Sequence, residues 1–313
     1  MTHPDRRTLL GAAAGLASGP AFAQPATTHD VPFSAGANAP TLRAPLNSCD
    51  CHFHIYDSRF QPAPGGLPAP NASPDDYRKL QARIGTTRGV VVQPSLYGVN
   101  NEPTLAGMAA LGPNFRAVAV VNTSVTDAEL QRMHGLGVRG IRFNLAQAGA
   151  TTLEMLEPLS ARVNALGWHC QINMPGNRIV EASATFLRVR GKLVFDHLAH
   201  VPHPAGVQSE TYTLIRRLLD QGNTWVKLSG AYADTKTGAP AYADSSAVAR
   251  AFAAAAPERM VWGSDWPHPT ERADNKPNDA TLFDLLSNWV PDERARHKVL
   301  VDNPAVLYDF PAT

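Results

Sequence analysis

The chain is poor in the features that would assign it to several large protein classes. Only 3 of its 313 residues are cysteine. An odd number without regular spacing supports no disulfide framework. Cys49 and Cys51 lie two apart on an extended-looking segment, a poor geometry for bridging each other, so buried free thiols are expected there and at Cys170. No charge of one sign dominates: 28 Lys+Arg stand against 27 Asp+Glu. That balance argues against a nucleic acid or an anionic membrane as partner. Downstream of the N-terminus no run reaches the roughly 18 apolar residues of a membrane span. No glycine-rich phosphate loop follows the first strand-like segment. The G-x-S-x-G elbow of serine hydrolases is absent too, since Ser264 in Gly263-Ser264-Asp265 lacks that pattern.

The N-terminus does carry a pattern. Arg6-Arg7 leads into an apolar, Gly/Ala-rich run that ends at Gly19-Pro20, and Ala21-Phe22-Ala23 is a small-x-small cleavage site. Residues 1–23 therefore read as a twin-arginine signal. It implies the Tat export machinery as a partner, the bacterial periplasm as destination and no membrane segment in the mature form. Residues 24–46, rich in Pro, Ala and Thr, read as an extended arm or linker, and 47–313 as one domain.

Within that domain eight short apolar, β-branched runs recur at 48–56, 89–95, 115–122, 138–144, 169–174, 193–198, 224–230 and 259–265. Helical patterns lie between them. Ser73-Pro74-Asp75-Asp76 opens one with a cap and an early proline, and Thr126-Asp127-Ala128-Glu129 opens another as a capping box. Segments 153–166 and 210–219 carry apolar residues at spacings of three and four, and a last helix spans 291–308, its Tyr308-Asp309-Phe310 end closing the barrel. Near-continuous hydrophobic strands are those of a parallel sheet covered on both faces. Eight such units in a chain of this size predict a (β/α)8 TIM barrel, an α/β fold, as a single domain.

Polar groups cluster at the ends of these strands, where the active site of such a barrel lies. His52 and His54 share a face by strand parity. Gln93 and Ser95 do so on the second strand, Arg142 and Asn144 on the fourth, Gln171 and Asn173 on the fifth. His197 ends the sixth, Lys227 and Ser229 lie on the seventh, and Asp265 ends the eighth. A guanidinium at Arg142 suits a substrate carboxylate; Arg139 has the opposite parity. Ser95, Tyr97, Asn144, Asn173, Lys227, Tyr232 and His268 complete the candidate substrate-binding set.

Four ordered segments, His52-Phe53-His54, Val194-Phe195-Asp196-His197, Trp225 to Gly230 and Val261 to Pro269, resemble the amidohydrolase superfamily, and within it the lactone-processing branch. The resemblance runs from about residue 46 to 310. It implies that His52, His54, His197 and Asp265 are catalytic, and that the same four could hold one divalent metal such as Zn²⁺. In many members a fifth-strand histidine joins that set; here Asn173 stands in its place. The fourth-strand bridging lysine or glutamate is missing as well, so a binuclear centre is not expected, and metal-independent chemistry is the main reading. The dicarboxylate lactonases of the branch tend to carry Asp-His-x-Gly-Arg after strand six and an arginine shortly after strand seven. This chain has Asp196-His197-Leu198-Ala199-His200 and Ala231-Tyr232-Ala233-Asp234 instead.

The expected activity is hydrolysis of a carboxylated lactone, with Asp265 activating water and the histidines serving the developing oxyanion. The alternatives are a sugar-acid lactone isomerase using the same aspartate, a metal-dependent decarboxylase, and a binding protein without turnover.

Overall fold

β-Branched, valine-rich runs set the architecture. Every residue of Arg88–Val92 and of Thr224–Leu228 is buried, because one face of each strand meets the barrel interior and the other its helical jacket. The computed structural model describes residue 1 and residues 30–66 and 69–311. The twin-arginine signal and the start of the arm lie outside the described residues.

Eight parallel strands follow in chain order: β1 Cys49–Phe53, β2 Arg88–Val92, β3 Phe115–Ala119, β4 Val138–Asn144, β5 His169–Asn173, β6 Lys192–Phe195, β7 Thr224–Leu228 and β8 Met260–Trp262. Each pairs with the next, and helices intervene, giving the expected (β/α)8 barrel in one domain. All eight anticipated runs form strands. Several stop two or three residues early, so His54, Ser95, His197, Ser229 and Asp265 sit in the loops that follow. Ser95 in particular opens a 3-10 turn, Ser95–Tyr97, and strand parity does not govern its direction.

Among the described residues, β8 and β1 meet through a single bridge, Phe53 to Trp266, and not through a regular ladder. His54 N donates to Trp266 O at 2.8 Å and Asp265 N to His52 O at 2.7 Å. The Asp50 carboxylate completes the closure. It accepts from Ser264 N (2.9 Å), Ser264 Oγ (2.6 Å), His52 N (3.1 Å) and the Tyr77 hydroxyl (3.1 Å). Burial pushes its carboxyl up to about 6 even against these donors.

The helices begin where their caps predict. Ser73 and Asp76 form a reciprocal capping box before Pro74–Ile84. Thr126 accepts from Glu129 N before Asp127–Leu136, which is half of the expected box. The 153–166 pattern resolves into a 3-10 turn and the helix Leu156–Asn164. The last expected helix is interrupted: Glu293–His297 runs through a π-turn, Lys298–Asp302, into Asn303–Tyr308. Its end places Leu307, Tyr308 and Phe310 against Cys49, Cys51, Val90 and Val194, sealing the floor opposite the site. All three cysteines are free and buried.

The described part of the arm is docked and is no free linker. Pro32 O accepts from Trp266 Nε1 at 2.7 Å, and Phe33 meets the Trp266 ring edge-on. Arg83 donates to Asn38 O and Ala35 O. No helix among the described residues is long and apolar enough to cross a membrane.

Candidate active site

The ends of β1, β6 and β8 converge on one carboxylate oxygen. Asp265 Oδ1 lies 3.4 Å from His54 Nε2, 3.5 Å from His52 Nε2 and 3.9 Å from His197 Nε2. It is buried and has no hydrogen-bond partner. Its companion Oδ2 accepts from the Tyr232 hydroxyl at 2.7 Å. Burial disfavours the charge on Asp265, but the imidazoles of His197, His54 and His52 outweigh it and hold the carboxyl well below the usual range. Burial lowers His197 to about 4, so this ring is neutral near pH 7. His52 is lowered well below its ordinary value, first by burial and then by Lys227.

Backbone geometry holds these side chains. Gly263 leaves room for His52, whose Cβ would lie 2.6 Å from any added Cβ. Gly230, at φ +61°, leaves room for the His197 ring in the same way. Asp265 itself has φ +62°. The four residues from His197 to His200 have φ between +47° and +56°, a left-handed turn without a glycine. Such conformations cost roughly 1–2 kcal/mol per residue, and strain of this kind concentrates at functional positions.

Beneath the histidines lies a buried charge network. Lys227 Nζ donates to Gln171 Oε1 (2.7 Å) and Cys51 O (2.9 Å) and reaches His52 Nδ1 at 3.1 Å. Asp196 Oδ1 is 3.2 Å from the same His52 Nδ1 and 3.5 Å from Lys227, while Oδ2 accepts from Gln171 at 3.0 Å and faces Arg142 Nε at 3.4 Å. Burial disfavours the Asp196 anion, but His52, Lys227 and Arg142 outweigh that and keep it ionised. Lys227 therefore lies under His52, fully buried, and not on the open mouth. Arg142 pairs with Gln171 across β4 and β5, one layer below the Asn144–Asn173 pair. At 4% exposure it belongs to the floor of the site.

Five of the remaining candidates fall into two groups. Tyr232 and His268 flank Asp265: the Tyr232 hydroxyl is 2.9 Å from His268 Nδ1, and His268 Nε2 is 3.1 Å from buried Asp279. Ser95, Asn144 and Asn173 line the rim. Asn144 Nδ2 donates to Ser95 Oγ and Asn173 Nδ2 to Asn144 Oδ1. Tyr97 is buried, its hydroxyl spent on the backbone of Asp57. Sequence reasoning did not single out Asp196, His200, Asp234 or Asp279 for the site. Asp196 was within reach, being adjacent to His197 in a recognised segment. Nothing in the sequence announces a left-handed turn of ordinary residues at His200.

The donor set fits a metal. The shortest separations among His52 Nε2, His54 Nε2 and Asp265 Oδ1 are 3.3–3.5 Å, close to the edge of a tetrahedron with bonds of about 2.0–2.1 Å. It also fits a proton network. His54 Nδ1 contacts Val92 O at 2.8 Å, so a neutral His54 carries its proton there and turns the Nε2 lone pair inward. If Lys227 donates to His52 Nδ1, the His52 proton sits on Nε2, 3.3 Å from that lone pair.

Fold and site together define a metal-capable histidine–aspartate barrel of the amidohydrolase type. The chain belongs to the amidohydrolase family, whose model matches residues 49–310. It is 33% identical over 276 residues to D-galactarolactone isomerase of Agrobacterium fabrum, covering 86% of this chain and 94% of the relative. It is 32% identical to 2-pyrone-4,6-dicarboxylate hydrolase of Comamonas testosteroni, covering 88% and 94%. An apo crystal structure of an Agrobacterium tumefaciens protein superposes with a TM-score of 0.83 at 31% identity, covering 90% of this chain and 99% of that one.

Proposed function

We propose that the protein hydrolyses a carboxylated lactone with Asp265 as general base. The observation that carries this reading is the Asp265 carboxylate: one oxygen is tied to Tyr232, the other is buried, unpartnered and ringed by three imidazoles. Asp265 Oδ1 takes a proton from water as the water oxygen adds to the lactone carbonyl. Imidazole N–H groups of His52 and His197 meet the oxyanion. Its collapse breaks the ring C–O bond, and the departing alkoxide takes the proton back from Asp265. Arg142, on the floor, receives a substrate carboxylate.

The reaction runs on protein groups. Where Lys227 donates to His52 Nδ1, the His52 proton lies on Nε2 and would have to leave before a metal could bind there. Were a metal bound, His52, His54, His197 and Asp265 would hold it, and it would polarise the lactone carbonyl.

A second reading is supported by the polar rim and by the galactarolactone isomerase relative. If Asp265 deprotonates a substrate hydroxyl in place of water, attack on the carbonyl moves the lactone ring without net hydrolysis. Proton NMR of the purified protein with a panel of carboxylated lactones separates the two. An open-chain acid marks hydrolysis and a new ring size marks isomerisation. Persistence of activity in chelator places the chemistry on side chains alone, whereas a tightly bound stoichiometric metal with CO₂ release would replace this reading by decarboxylation. The Arg6-Arg7 pair and the Ala21-Phe22-Ala23 site support Tat export to the periplasm. Fractionation of cells carrying Arg6→Lys, Arg7→Lys tests it, with the double variant retained in the cytoplasm.

A further inference from the structure

A left-handed 3-10 turn repeats every three residues, as its right-handed counterpart does. His197 and His200 therefore project from the same side of the strained 197–200 turn. Their rings lie 5.5 Å apart, which sets His200 beside the catalytic cluster without joining it. Both His200 nitrogens are engaged: Nδ1 is 2.8 Å from Asp234 Oδ2 and Nε2 is 2.7 Å from Asn173 Oδ1. From Asn173 the chain of contacts runs on to Asn144 at 2.9 Å and to Ser95 at 2.5 Å. Five loop and strand ends thus contribute one continuous polar arc, and all five of its residues are partly exposed at the mouth. The side chains of His200 and Asp234 are 18% and 36% exposed.

We propose that this arc is a specificity device, with His200 as the positioning residue that holds Asn173, Asn144 and Ser95 for the hydroxyl groups of the substrate. The inference rests on the lactone reading and narrows it to a lactone with one carboxylate and several free hydroxyls. Two features of the arc carry it. Its amides and hydroxyl can all reverse direction together, so Ser95 can either donate its proton outward or accept one. A hydroxyl both donates and accepts and matches either state; a carboxylate only accepts. The arc also ends in the Asp234 carboxylate, so a second substrate anion placed along it meets like charge.

The test is steady-state kinetics of the folded wild-type protein on three probes. They are an aldarolactone (one carboxylate, free hydroxyls), a muconolactone (one carboxylate, no hydroxyls) and 2-pyrone-4,6-dicarboxylate (two carboxylates, no hydroxyls). The aldarolactone is expected to lead in kcat/KM by about 100-fold, since polar groups built to bind hydroxyls are left unpaired by the analogues. His200→Phe and Ser95→Ala are expected to lower kcat/KM about 10-fold on the aldarolactone, mainly through KM, and to lower any muconolactone rate by a clearly smaller factor. His200→Gln, which restores a partner for Asn173, recovers part of the loss. Equal turnover of the three probes, or equal loss on all of them in the variants, overturns the proposal while leaving the lactone reading in place. If none of the three is turned over, the lactone reading falls and this proposal with it.

Discussion

Replacing Lys227 by Met tests whether a buried ammonium sets the protonation pattern of the site. Methionine nearly matches the volume and removes the charge and its donors. Three partners lose a hydrogen bond: Gln171 Oε1, Cys51 O and His52 Nδ1, at 2.7, 2.9 and 3.1 Å. Removing one partner of a buried ion pair costs about 3–5 kcal/mol. Here the lower end applies, because Asp196 keeps Gln171 and Arg142 and the desolvation of the ammonium disappears. At about 3 kcal/mol, Tm should fall by roughly 6–12 °C. The chemical consequence is more specific. Without Lys227 the His52 proton moves to Nδ1, where Asp196 Oδ1 waits at 3.2 Å. His52 Nε2 then turns a lone pair toward those of His54 and Asp265. Activity in chelator should drop about 10- to 100-fold, the range for losing a group that orients a functional histidine, and zinc affinity should rise. Histidine ¹⁵N NMR reads the tautomer directly, alongside kcat with chelator or added zinc. An unchanged His52 tautomer together with unchanged kcat in a variant of lowered Tm would refute the reasoning and reduce Lys227 to a structural ion.

Three further outcomes follow from the same geometry. Asp265→Asn keeps the shape and a contact to Tyr232 but cannot take a proton, so kcat should fall about 10²- to 10⁴-fold with the melting curve little moved; full activity would remove Asp265 from the base role. Tyr232→Phe frees Oδ2 and lets the carboxylate rotate, and should lower kcat by about 10-fold without raising KM; a rise in KM alone would make Tyr232 a binding group. His169, buried with neither ring nitrogen bonded, is lowered to about 3 by burial and then by Lys227 and Lys192. Its folded value lies below the unfolded one, near 6.5, so the unfolded chain takes up the proton first. Stability is therefore lost as pH falls from about 6.5 toward 3, at about 1.4 kcal/mol per pH unit for this group. Urea titrations of wild type and His169→Gln across that range should show the variant's profile flatter by that slope, and parallel profiles would contradict it.

Hydrophobic pattern made the barrel legible: eight β-branched runs, each trailed by an amphipathic segment, leave few arrangements open to a chain of this size. The quartet that the structure brings together was legible for a related reason. His52, His54, His197 and Asp265 stand at the ends of apolar runs, where a polar side chain has no packing role. What the pattern could not convey was depth. Arg142 and Asn144 share a face, and parity ranks them equally, yet two residues of strand separate the buried floor from the open rim. Lys227 is consequently spent on internal partners, Asp196 among them, although alternation alone offers it to a substrate, and Arg142 reaches the same carboxylate through Nε at 3.4 Å. Backbone handedness was equally hidden. Ordinary residues at 197–200 give no sign of positive φ, because a turn of that hand is held by surrounding contacts against local preference. The rim at His200 and Asp234, where the sequence differs from the dicarboxylate lactonases, thus becomes visible only when the strands are closed into a ring. There His200 and Asp234, from the two segments that lack an arginine, contact each other at 2.8 Å, so that a carboxylate and amides stand where a cationic clamp would be.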